Sequence, residues 1–121
     1  MIPRRLALWG PFVLALAAGF TLSSMSRVPG TEYVWDKVLH VVEFTGLGLL
    51  GLRAFHGGLT RPRLGPTFAA GVTVVLWGIS DEIHQSFVPG RDASALDAVA
   101  DAVGFGVAVI AAFVIARLRA L

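Results

Sequence analysis

The sequence contains no cysteine. A disulfide framework, a cysteine-ligated zinc or iron–sulfur centre and a thiol nucleophile are therefore excluded. Charge is also scarce. Asp, Glu, Lys and Arg make up 15% of the 121 residues, against about 25% in an ordinary soluble domain. That is too little to coat a water-facing surface. The net charge is only +2 and the Lys and Arg residues are scattered. The basic stripe of a nucleic-acid reader is missing, and no nucleic-acid partner is expected. What the chain has in excess is hydrocarbon, at 55% hydrophobic residues and a mean hydropathy of +0.74. One domain spanning residues 1–121 fits this length, and the composition points to a membrane.

Four apolar stretches follow one another, and they predict helices over about 6–22, 34–53, 64–88 and 95–117. A bilayer core needs about 20 helical residues. The second stretch is short by that measure, so Tyr33 and Trp35 extend it as interfacial anchors. Unpaired backbone groups are not tolerated in lipid, which selects helices over open strands. The expected fold is all-α, an integral membrane bundle of four transmembrane helices. The basic start before the first stretch also resembles a signal peptide. No small-x-small cleavage pattern follows it, so a retained helix is expected.

Charge distribution sets the expected orientation. Arg4, Arg5, Arg53, Arg61, Arg63, Arg117 and Arg119 fall at one end of such a bundle, whereas Arg27, Lys37 and Arg91 fall at the other. The positive-inside rule then puts both termini in the cytoplasm, in a multi-pass inner-membrane protein. All 8 acids, among them Glu32 and Asp92, belong to the outward half. Topology does not explain acids inside apolar stretches, where a charge at the helix centre costs about 2.5 to 3.5 kcal/mol or more. Glu43 and Asp101 are such residues.

Helical spacing lets these groups converge. Asp36, His40 and Glu43 share one face of the second helix. Asp81, His84 and Gln85 repeat the spacing on the third, before Pro89-Gly90 breaks it, and Asp97 and Asp101 are four apart on the fourth. Three helix ends thus bring polar stripes to one membrane level, forming a pocket open to the outside.

Plainer roles stand beside these. Ser94-x-x-Asp97 has the form of a capping box, so Asp97 is also a candidate cap. Asp36 and Lys37 can be first-turn charges, and Arg91 and Asp92 solvated turn residues. Ala100, Gly104, Ala108 and Ala112, spaced by four, read as a close-packing ridge. Trp9, Trp35 and Trp77 read as interface anchors or packing residues, not as a cofactor site.

Three motifs in order carry a resemblance. Asp36-Lys37-x-x-His40-x-x-x-Phe44, Asp81-Glu82-x-His84-Gln85-x-x-x-Pro89-Gly90-Arg91 and Asp97-x-x-x-Asp101-x-x-Gly104 cover the chain from about Asp36 to Gly106. The pattern is similar to that of the VanZ-like family. Two departures stand out: Asp101 takes a position that is typically Asn there, and His84 falls at a variable one. The resemblance implies a small four-helix integral membrane protein. It also implies kinship to a namesake linked to resistance to the glycopeptide teicoplanin, whose biochemical activity is not settled.

The residues leave three classes of function. An enzyme acting on an envelope lipid would use Asp36, His40, Glu82, Asp97 and Asp101 for acid–base work. Lys37, Glu43, Gln85 and Arg91 would then bind its anionic headgroup, Arg through paired hydrogen bonds. A binding module would need the cations but no acid–base pair. A proton-coupled transporter would use Glu43 and Asp101, although no charge interrupts the inner half of its path. His40, Glu43, Glu82 and His84 form a plausible ligand set for a metal. Neither helix has the Glu-x-x-His order of bundle di-metal sites, so no metal or other cofactor is expected. The expected partner is a membrane lipid or lipid-linked envelope intermediate.

Overall fold

The hydrophobic runs become helices, in which each backbone N–H finds its acceptor within the same segment. The computed structural model describes residues 1–25, 30 and 35–121. Its four helices are α1 (Arg4–Ser23), α2 (Asp36–His56), α3 (Leu64–Gln85) and α4 (Ala95–Arg119). Each is long and apolar enough to cross a membrane. Arg27, Glu32, Tyr33 and the expected start of the second helix at 34 lie outside the described residues.

The helix limits differ from the sequence expectation where local chemistry intervenes. α2 runs on to His56 and stops at Gly57, whose φ of 74° is the left-handed conformation that glycine adopts without strain. Gly58 N–H and Gly57 N–H close the end on Arg53 O and Ala54 O, at 2.8 and 3.3 Å. α3 ends at Gln85 rather than 88, because Val88 precedes Pro89 and is pushed out of the helical region. Inside α1, Pro11 cannot donate to the Ala7 carbonyl. Arg53 Nη1, reaching across from α2, donates to that carbonyl at 2.9 Å.

α2 is the central helix, touching α1, α3 and α4, and its most extensive contact is with α4. The two run parallel, joining residues 59 to 61 positions apart from one end toward the middle. The small-residue ridge of α4 makes this possible: Ala100, Gly104, Ala108 and Ala112 are all buried. A Cβ on Gly104 would fall 2.7 Å from Val41 O, and one on Gly48 would fall 2.6 Å from Ala108 Cβ. Thr45 Oγ1 crosses the seam to Gly104 O at 3.2 Å. Phe12, Phe44, Leu47, Ala54 and Val74 form one core cluster; Leu52, Ala70, Ala108 and Ala112 form another.

The outer surface is apolar on every helix, with Leu14, Val42, Phe68 and Ile110 all exposed, while His40, Asp97 and Asp101 are buried. This inverts the pattern of a water-soluble bundle and is that of a multi-pass membrane architecture. Trp9 packs edge-on against Phe55 and Phe12, and Trp77 packs on the core.

The α2–α4 seam should be intolerant of volume. Gly104→Ala should lower stability by about 1–3 kcal/mol, the usual cost of overpacking. Gly106→Ala, which meets nothing within 4 Å, should be neutral or stabilising by up to about 1 kcal/mol. Thermal unfolding of the detergent-solubilised variants measures both.

Candidate functional site

The parallel α2–α4 pair brings two helix N-terminal ends to one level, and the C-terminal ends of α1 and α3 meet them there. Positive dipole ends favour acids, and Asp36 and Asp97 occupy the two first turns. Asp97 is fully buried. The Lys37 ammonium bonds directly to Asp97 Oδ1 and lies 3.6 Å from Asp36 Oδ2. One turn deeper, His40 Nδ1 lies 2.7 Å from Asp101 Oδ1. A carboxylate accepts, which assigns the shared proton to Nδ1. The other ring nitrogen, Nε2, faces Asp36 Oδ2 at 3.6 Å and Asp97 Oδ1 at 3.9 Å. An imidazole oriented by one carboxylate and turned toward two more can carry a proton between them.

Glycines shape the space around this layer. Asp101 Oδ2 sits 2.9 Å from where a Cβ on Gly78 would be, and Glu43 Oε1 lies 2.6 Å from the same point on Gly19. Glu43 therefore turns toward α1 and makes no hydrogen bond or ion pair with the His40 cluster.

The Asp97 side chain is not the cap that the Ser94-x-x-Asp97 spacing suggests. Ser94 Oγ caps α4 through Leu96 N–H at 3.1 Å, and Ser94 N–H donates to Glu82 Oε1 at 2.6 Å. Glu82, from α3, fills the place that Asp97 would take in a capping box. Gln85 Nε2 turns back one helical turn to Asp81 Oδ2, a long contact of 3.4 Å. His84 leaves the cluster altogether, bonding Ser24 Oγ at 2.9 Å and stacking on Phe20 of α1. Arg91 makes no ion pair with Glu82; its Nη1 approaches Met25 O at 3.4 Å.

Asp81, which did not stand out as a site residue in the sequence, is 4% exposed and belongs to the same layer. Its signals in the sequence are the polar stripe it shares with His84 and Gln85 and its place at the head of the Asp-Glu-x-His-Gln motif. Asp81 Oδ1, Glu82 Oε2, Asp97 Oδ2 and Asp101 Oδ2 are buried with no hydrogen-bond donor among the described residues. Buried acceptors are seldom left this way without a role.

The layer opens into a cleft of ≈ 430 Å³ between the start of α2 and the α3–α4 connection. Asp36, Lys37, Arg91 and Asp92 give it both signs of charge. Gly90, with φ 79°, makes the turn that places Arg91 at its edge. Asp36, His40 and Asp97 offer ligand atoms within 4.8 Å of one another, a spacing a metal could use. Lys37 already supplies a cation to two of those carboxylates. The ligand set differs from the one read in the sequence, because Glu43 and His84 turn to α1. No family model, curated protein or solved structure matches the chain, so its chemistry is argued from this geometry.

Removing one member of the Lys37–Asp97 pair should hurt more than removing both. Lys37→Met leaves a buried carboxylate without its cation, at a cost of about 3 kcal/mol. Lys37→Met combined with Asp97→Asn should recover most of that loss. A double-mutant cycle in chemical denaturation measures the difference.

Proposed function

We propose that the chain is a VanZ-like protein of the cytoplasmic membrane, with both termini inside and the charged layer facing outward. Its function in this reading is to recognise the phosphate-bearing headgroup of a cell-envelope lipid. The observation that carries it is the position of Lys37, which lines the open cleft beside Arg91 and at the same time bonds to buried Asp97. A phosphate entering the cleft meets Arg91, whose one side-chain hydrogen bond among the described residues is a long contact to Met25 O, and then the Lys37 ammonium. Arg suits phosphate through two parallel hydrogen bonds. Asp36 and Asp92 on the same walls accept from a hydroxyl or ammonium of that headgroup. The apolar exterior of the helices lets the acyl chains stay in the bilayer while the headgroup docks. The motif order, the apolar exterior and the concentration of arginine at the opposite end all support the placement.

A second reading, acid–base modification of the bound headgroup, rests on the His40–Asp101 pair. Asp101 holds the ring, and Nε2 can take or give a proton on the side of Asp36 and Asp97. Lys37 stands between the cleft and this nitrogen, so headgroup binding that draws Lys37 outward would open the way to it. A pure binding module would share the cleft and leave His40 without chemical work.

Lipids retained by the purified protein distinguish these readings. Mass spectrometry of the bound fraction should show a phosphate-bearing lipid enriched over the surrounding membrane. Arg91→Lys should weaken retention because the paired geometry is lost while charge is kept. Asp101→Asn should spare retention, and should abolish any lipid product if chemistry occurs. Retention equal to bulk composition in the unmutated protein would end the proposal.

Orientation has its own test in this cysteine-free chain. Asp92→Cys should react with an impermeant thiol reagent on intact cells, and Thr60→Cys only after permeabilisation. The reverse pattern would place the charged layer inside.

A further inference from the structure

A second concavity lies at the other end of the bundle and has no part in the cleft described above. It is a cleft of ≈ 820 Å³ between the α2–α3 connection and the last turns of α4. Leu59, Phe113 and Val114 give it apolar walls, while Arg61, Arg117 and Arg119 rim it. Such a volume lies within the usual range of ligand sites, about 300–1,000 Å³.

The arginines at this end divide by what they already hold. Arg4 donates to Gly57 O at 2.7 Å, and Arg53 donates to the carbonyl that Pro11 leaves open. Those two are committed to backbone carbonyls. Arg119 Nη1 donates to Leu59 O at 3.1 Å, which fastens the connection to α4 and closes one side of the cleft. Arg61 lies over the Phe113 ring, 5.9 Å from its centre, and makes no ion pair among the described residues. Arg117 is likewise without an ion pair there. The described acidic side chains all lie in the other half of the bundle, and none pairs with these three guanidinium groups.

We propose that this basic-end cleft binds the headgroup of an anionic phospholipid from the surrounding leaflet. Three like charges around an apolar hollow, none of them in an ion pair among the described residues, make the cleft complementary to an anion with an apolar body. A phosphodiester supplies the anion, and its glycerol and upper acyl segments cover Phe113 and Val114. Helix-dipole compensation alone accounts for Arg117 and Arg119 in the last turn of α4. It does not account for Arg61, which comes from a different connection and closes the opposite rim. The inference requires only that the chain sits in a bilayer, and is independent of what the other cleft binds.

Native mass spectrometry of the full chain in detergent tests it, using phosphatidylglycerol, phosphatidylcholine of the same acyl chains, and inorganic phosphate as probes. Phosphatidylglycerol should bind more tightly than phosphatidylcholine, and equimolar phosphate should not displace it. Arg61→Ala and Arg117→Ala, neither of which breaks an internal hydrogen bond, should each weaken phosphatidylglycerol binding by roughly fivefold, the effect of one arginine near a lipid surface. Arg5→Ala, at the same end but outside the cleft, should leave binding unchanged. Equal binding of the two lipids would overturn the proposal. So would displacement by phosphate, which would mark a site for the free anion. An Arg5→Ala loss as large as that of Arg61→Ala would mean diffuse attraction to a basic surface and would overturn it as well.

Discussion

A charge inside an apolar bundle must find a partner, because neither lipid nor a hydrocarbon core can solvate it. This constraint governs the acidic end of the molecule. Asp97 and Asp101 are buried on α4, and the groups that answer them, Lys37 and His40, are on α2. They meet because α2 and α4 run parallel at close range. That range exists because Gly104 and Gly48 carry no side chain, and Ala108 only a methyl group, where the two backbones approach. A packing feature with no chemistry of its own thus determines where the chemistry can occur.

The two ends of the bundle solve the problem of charge differently. At the acidic end, charged groups point inward and satisfy one another across helices, with several carboxylate oxygens left without a donor among the described residues. At the basic end, Arg4 and Arg53 satisfy backbone carbonyls that helix termination and Pro11 expose, and other arginines project from the surface. The first arrangement builds a site between helices. The second fastens α1 to the end of α2 and leaves cations facing the surroundings. α1 is otherwise peripheral: it contacts α2 and α3 but not α4, and contributes Gly19 and Ser24 at the margin of the charged layer.

Most of the architecture was legible in the sequence. Predominantly apolar runs of helical length define four elements, and a four-residue repeat of Ala and Gly on the last of them marks its contact face. The convergence of Asp36, His40, Asp97 and Asp101 was also legible, since acids and histidine at helical spacing must face inward. Choice of partner was not. Lys37 with Asp97, and His40 with Asp101, depend on which helices become neighbours and in what relative direction, and intervals within one helix do not encode this. The same gap explains Glu82. Local spacing offers Asp97 as the partner of Ser94 N–H, but the end of α3 brings a longer carboxylate to that donor and frees Asp97 for Lys37. Glu43 and His84 share their helix faces with site residues, yet α1 packs close enough to draw both aside. Arg91 follows the Pro89-Gly90 turn to the cleft edge without reaching Glu82, because the helix stops at Gln85 and the connection carries it outward.

The buried charged layer, and any acid–base chemistry at it, depends on the His40–Asp101 contact being a persistent hydrogen bond. Nitrogen-15 solid-state NMR of histidine-labelled protein in bilayers tests this most directly, since the chain has 3 histidines and His40 can be assigned by substitution. The expected result is a hydrogen-bonded Nδ1–H on His40 that resists solvent exchange and whose signal moves in Asp101→Asn. A rapidly exchanging His40 ring that is unaffected by Asp101→Asn would contradict the buried pairing and the acid–base chemistry built on it.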